Sequence, residues 1–176
     1  MRFDEEKALL YIFQIASALE FVHQLGIGHR DISLENIFVH DGECKLGDFG
    51  LSTSQKIISN DQMVGKFYYM APEIVRGDAY DPKAADMWSL GILLFIMLTG
   101  VPAVNIASSK DVHYSMLRFH GVKGLLRLLS MEDSISNDTI NLLSRLLCIA
   151  PKDRIKISDA VGHPCFDQQH MEMLVL

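Results

Sequence analysis

The stretch His29-Arg30-Asp31-Ile32-Ser33-Leu34-Glu35-Asn36 runs into Ile37-Phe38-Val39, then Asp41-Gly42, Cys44-Lys45-Leu46 and Asp48-Phe49-Gly50. Two brief apolar runs on either side of an Asp-Gly pair predict a β-hairpin. A hairpin this short is marginal by itself, so helices must cover it. A His-Arg-Asp triplet alone is more often a surface salt-bridge cluster. Here it precedes a hairpin with an amide, Asn36, on its near side and a second carboxylate, Asp48, on its far side. The spacing, more than any one triplet, carries the information.

Upstream, Ala8, Leu9, Ile12, Ile15, Ala16, Leu19 and Val22 recur every three or four positions, which predicts a helix over 5–24. Asp4 fits its N-cap and Gly26 its stop. Downstream, residues 50–70 are polar and carry no helical period; a stretch of that kind inside a compact domain is usually functional. Asp81-Pro82 reads as a cap followed by proline at the first helical position, opening a helix to about Leu98 that is apolar nearly all round. One or two helices follow around Val112–Leu129, another over 138–148, and a last one from near Ser158 to before His163-Pro164. The expected fold class is mainly α, with one small β element and one long loop.

The chain has 176 residues, 49% of them hydrophobic, and a formal net charge of -6, with no Lys/Arg cluster. That is enough to bury a full core, and it excludes the clustered positive charge of a nucleic-acid binder. Cys44, Cys148 and Cys165 are odd in number and widely spaced, which suits a reduced intracellular protein, expected in the cytoplasm, rather than a disulfide framework or zinc site. The start of the chain has no apolar signal segment. The run Leu90 to Leu98 is shorter than the roughly 20 residues a bilayer span takes, so no membrane partner is expected.

Read in order, His29-Arg30-Asp31, Asn36, Asp48-Phe49-Gly50, Ala71-Pro72-Glu73, Asp86-Met87-Trp88-Ser89-Leu90-Gly91 and Arg154 resemble the signature set of the eukaryotic protein kinases. The resemblance covers essentially the whole chain. It implies the C-terminal lobe of a kinase domain over residues 1–176, with ATP and Mg²⁺ (or Mn²⁺) as cofactors and a protein Ser/Thr hydroxyl as acceptor. Asp31 then accepts the hydroxyl proton. Asn36 and Asp48 hold the metal, a hard cation that prefers oxygen ligands. Phe38 lies under the adenine, and His29 and Phe49 stack ahead of Gly50. Glu73 and Arg154 form a buried ion pair, and Asp86 accepts from the backbone of the His-Arg-Asp turn. Glu35, just before Asn36, resembles serine/threonine rather than tyrosine kinases and hints at a basic residue upstream in the substrate.

The chain departs from the family pattern in three ways. It contains no Gly-rich phosphate loop and no Val-Ala-Ile-Lys strand, so the N-terminal lobe that covers ATP is absent; if the native polypeptide is longer, that lobe is a partner in cis. Ser33 stands where most members have Lys, and Lys66, after Gly65, stands where most have Thr. These two suggest an exchange in which Lys66 reaches the γ-phosphate and Ser33 supplies the hydroxyl. The competing reading is decay toward a pseudokinase-like scaffold. Finally, Arg30 before the catalytic Asp implies control by phosphorylation of Ser52, Thr53, Ser54 or Ser59, the last best placed, with Asp61 as a permanent charge nearby.

Overall fold

The computed structural model describes residues 2–59 and 65–166. Helix α1, Glu5–Gln24, begins where the Asp4 carboxylate accepts the Lys7 backbone N–H at 2.8 Å. Its buried stripe contains every apolar residue of the predicted period and one polar addition, His23. Helix α3, Pro82–Thr99, is capped by Asp81, and its buried residues include Trp88 and the run Ile92-Leu93-Leu94-Phe95. It is the centre of the core: α1 and α5, Asn137–Leu146, both pack against it. By length and composition α3 can cross a membrane, but 72% of it is buried inside the protein, as the central helix of a folded domain is.

Strands β1, Ile37–His40, and β2, Glu43–Leu46, pair antiparallel with Ile37 opposite Leu46. Their turn places both Asp41 (φ 49) and Gly42 (φ 82) in the left-handed region, the geometry whose twist matches paired strands. The hairpin is carried by α1: Gln14 accepts the Cys44 backbone N–H at 2.7 Å and donates to the Gly42 carbonyl at 3.4 Å.

The remaining elements are a short helix α2, Pro72–Arg76, then α4, Val112–Leu128, and a short α6, Ile157–Val161, against α1. Gly121 has φ 66, so α4 is two helices joined at that residue, 112–120 and 122–128. Helix α2 is absent from the sequence expectations; five residues are too few to show a period. The three cysteines are free and half-buried, and burial pushes the Cys44 thiol up to about 11 and that of Cys165 to about 12.

At Gly91, α3 meets the end of α5 with no room for a side chain. A Cβ there would lie 2.9 Å from the Leu146 Cβ and 2.9 Å from the Leu147 Cδ2, and Leu146 Cβ cannot swing away. Alanine adds about 1 kcal/mol of helix propensity over glycine, but overpacking costs ~1–3 kcal/mol. Gly91→Ala is therefore expected to lower the midpoint of thermal unfolding by several degrees. An unchanged midpoint would mean the two helices do not meet there.

Candidate active site

The site is built outward from Asp86, in the first turns of α3 and 1% exposed. Its Oδ2 accepts the His29 backbone N–H at 2.8 Å, and its Oδ1 accepts that of Arg30 at 2.7 Å. The His23 Nε2 lies 2.8 Å from the same Oδ2 and donates to it. Three donors thus satisfy one buried carboxylate. Arg30 needs this support because its φ is 70, a left-handed conformation that costs a residue with a Cβ roughly 1–2 kcal/mol. Each hydrogen bond to a charged group contributes about 1.5–3 kcal/mol, so the two bonds outweigh the strain.

His29 then joins the two halves of the site. Its Nδ1 accepts the Asp31 backbone N–H at 3.3 Å, which leaves the ring proton on Nε2, donating to the Gly47 carbonyl at 3.1 Å. The turn bearing Asp31 is thereby tied to the end of the hairpin bearing Asp48. Phe49 packs on the His29 ring with centroids 4.7 Å apart, and Asp48 itself adopts φ 60. The Asn36 Nδ2 donates to both the Asp31 carbonyl (2.8 Å) and the Asp31 Oδ2 (2.7 Å), which holds the Asp31 carboxylate in place and leaves the Asn36 side-chain oxygen for a ligand.

That oxygen and the Asp48 carboxylate fit Mg²⁺. Among the described residues no group of three His, Cys, Asp or Glu forms a cage for a metal. Mg²⁺ does not require one, since it is ordinarily held by one or two protein oxygens together with substrate phosphates and water.

Lys66 lies beside Asp31's loop. Its Nζ donates to the Ser33 Oγ at 3.0 Å and pairs with the Glu35 carboxylate at 2.8 Å. The hydrogen bond from Lys66 holds the Glu35 carboxyl below its ordinary value. Ser33 is fully buried, whereas the Lys66 and Glu35 side chains are 35% and 54% exposed. Farther along, Glu73 and Arg154 form a buried two-pronged pair at 2.8 and 3.0 Å. Arg154 also donates to the Cys148 and Ala84 carbonyls. Arg30 extends the other way, with Nε on the Tyr80 hydroxyl at 3.2 Å and Nη1 on the Leu51 carbonyl at 3.2 Å. Its Nη2 is buried and has no partner among the described residues.

Residues 1–166 match the protein kinase domain family. The chain belongs to the protein kinase family. It is 37% identical to an Aurora kinase of Schizosaccharomyces pombe over 93% of this chain and 44% of that protein. It is 40% identical to the serine/threonine-protein kinase AtPK2/AtPK19 of Arabidopsis thaliana over 87% of this chain and 31% of that protein. A CBL-interacting protein kinase 20 of Oryza sativa is 32% identical over 96% of this chain and 37% of its own length. The chain spans less than half the length of these curated relatives.

Within this kinase-like fold, the structure brings Asp31, Asn36, His29, Phe49 and Asp86 together as the motifs imply, and it places Lys66 against Ser33. Phe38 stands with its ring over Gly47, where a Cβ would come within 2.6 Å, and is 60% exposed. Ser59 follows Ile58, which bridges to Tyr80, the residue whose hydroxyl Arg30 holds. Asp61 lies outside the described residues.

Three participants escaped the sequence reading. His23 had a usable signal, falling four positions after Leu19 on the buried stripe of α1. Tyr69, whose hydroxyl accepts the Leu34 N–H at 3.1 Å and whose pKa burial pushes up to about 12, had none. The third is the Lys66–Glu35 pair: both residues were singled out, but their contact crosses from one loop to another.

Removing one partner of a buried ion pair strands a charge, at a cost of about 3–5 kcal/mol, comparable to what many domains have to spare. Arg154→Met is expected to lower unfolding stability by that order in denaturant titration, and Glu73→Met in the same chain to restore much of it. Equal destabilisation by the double variant would show that the charges themselves are needed.

Proposed function

We propose that this chain is the large C-terminal lobe of a serine/threonine protein kinase, residues 1–176 forming a partial catalytic domain. The observation that carries this reading is the Asp31–Asn36–Asp48 constellation, intact and fastened to the core through His29 and Asp86. In the proposed reaction a substrate Ser or Thr hydroxyl oxygen attacks the γ-phosphorus of ATP. The bond to the bridging oxygen breaks, ADP leaves, and the hydroxyl proton passes to the Asp31 carboxylate. Phosphoryl transfer needs positioning and charge stabilisation more than covalent chemistry. Asn36 fixes the Asp31 carboxylate toward the acceptor. Mg²⁺ on the Asn36 oxygen and Asp48 would neutralise phosphate charge. Lys66, pivoting on Ser33, supplies the cation nearest the transferred group, where electrostatic stabilisation often contributes most of the rate enhancement.

The exposed apolar side chains Leu34, Phe38, Val39 and Phe49 suit a surface that a second lobe covers, with Phe38 under the adenine. That lobe, a protein substrate and ATP are the proposed partners, and the cytoplasm, which suits three free thiols, is the proposed location. A scaffold without transferase activity is the second reading. It is favoured by Ser33 and Lys66 standing where the family ordinarily has Lys and Thr.

The isolated 176-residue chain is expected to bind ATP–Mg²⁺ very weakly and to transfer no measurable phosphate. A longer polypeptide that carries an ATP-covering lobe ahead of this chain should transfer phosphate to a Ser peptide and lose this on Asp31→Asn. Robust transfer by the short chain, abolished by the same substitution, would overturn the lobe assignment, and silence of the long one would favour the scaffold.

Arg30's Nη2, buried and without a partner among the described residues, suits a phosphate docked from the loop. Alanine at Ser52, Thr53, Ser54 and Ser59 together is expected to lower the longer kinase's activity at least several-fold, with Ser59→Ala alone giving most of the loss. Undiminished activity would rule out phosphate control at these positions.

A further inference from the structure

Glu35 and Lys66 form a pair of a different kind from Glu73 and Arg154. The latter is buried, two-pronged and surrounded by further bonds, so it has no exchange partner. The Lys66–Glu35 pair is single-pronged and partly exposed on both sides. Pairs of that kind contribute little net free energy, and another cation can displace one member. Only one of the two contacts of the Lys66 ammonium is at risk in such an exchange. The other, to the fully buried Ser33 hydroxyl, is anchored in the loop that carries Asp31.

Glu35 sits four residues beyond Asp31 and immediately before Asn36, whose amide grips the Asp31 carboxylate. An extended peptide advances roughly 3.3 Å per residue. A peptide whose hydroxyl rests at Asp31 therefore brings a side chain a few positions away within reach of Glu35. In the structure that carboxylate is already occupied by a cation of the protein's own.

We infer that Glu35 and Lys66 act as a substrate-operated gate, in which a basic residue of the acceptor peptide takes Glu35 from Lys66 and frees the ammonium, still tethered to Ser33, to turn toward the phosphate at Asp31. The first half, competition for Glu35, concerns peptide binding alone. The second half rests on the kinase reading proposed above. The gate makes a basic peptide its own activator: it satisfies Glu35 and delivers a positive charge to the reacting group in the same event. A neutral peptide leaves Lys66 on Glu35 and reacts slowly even when bound.

The test uses two fluorescent peptides with one Ser acceptor, differing only in Arg or Ala at an upstream position, and the 176-residue chain without nucleotide. The parent chain is expected to prefer the Arg peptide modestly. Lys66→Met, which removes the internal competitor, should widen that preference roughly 2- to 5-fold, the range an exposed ion pair supports. Glu35→Gln should erase the preference in either background. An unchanged preference in Lys66→Met would overturn the gate. In the longer, active polypeptide Lys66→Met should lower KM for the Arg peptide while lowering kcat at least tenfold. A lowered KM with unaltered kcat would overturn the phosphate half. Absence of transfer by the parent enzyme would count against the kinase reading, while the binding measurement would still decide the competition for Glu35.

Discussion

The Asp86 carboxylate is the constraint on which the rest of the site depends. It sits in the first turns of a helix with no exposed face, so its position is set by the packing of Trp88, Leu90 and the residues around them. From there it holds two consecutive backbone N–H groups of a turn that has no regular structure of its own, and a histidine from the end of α1. The strained Arg30 conformation persists because those bonds over-determine it. The other site residues inherit this position. His29 relays it to Gly47 and Phe49, Asn36 orients Asp31, and the hairpin sets the distance to Asp48.

A gradient of rigidity runs outward from that point. Buried, multiply bonded groups such as Asp86 and the Glu73–Arg154 pair are fixed, because breaking them strands polar atoms away from water. Half-exposed groups are held by single contacts that water or a ligand can replace. Arg30, next to Asp31 in the chain, and Lys66, held by Ser33 of the same loop, fall on opposite sides of this divide. The Arg30 side chain has two bonds to the protein and one buried nitrogen without a partner among the described residues. Lys66 has one buried anchor, Ser33, and one half-exposed partner, Glu35.

The sequence alone revealed much of this arrangement, and the contacts it missed have a physical reason. α1 was legible from its apolar periodicity, α3 from an apolar run nearly all round the helix, and both from an acidic cap. The hairpin was legible because Asp-Gly suits two left-handed residues in succession. The spacing of Asp31, Asn36 and Asp48 identified the site because a hairpin of fixed length separates them. α2 was invisible because five residues contain barely more than one turn. The bond from Tyr69 to Leu34 and the pairing of Lys66 with Glu35 were invisible because they join loops 35 and 31 residues apart, and no local pattern encodes where a loop returns. The family resemblance implied that positions 33 and 66 meet, and the 3.0 Å contact between Lys66 and Ser33 bears this out.

Asp86 locks the His29–Asp31 turn to the helical core before any ligand arrives. Amide hydrogen exchange at His29 and Arg30 in the free chain measures this directly. Protection close to that of the buried amides of α3, lost only in global unfolding, is expected, although neither residue lies in a helix or strand of the hairpin. Exchange at the rate of an open loop, with protection appearing only on adding ATP and Mg²⁺, would contradict it.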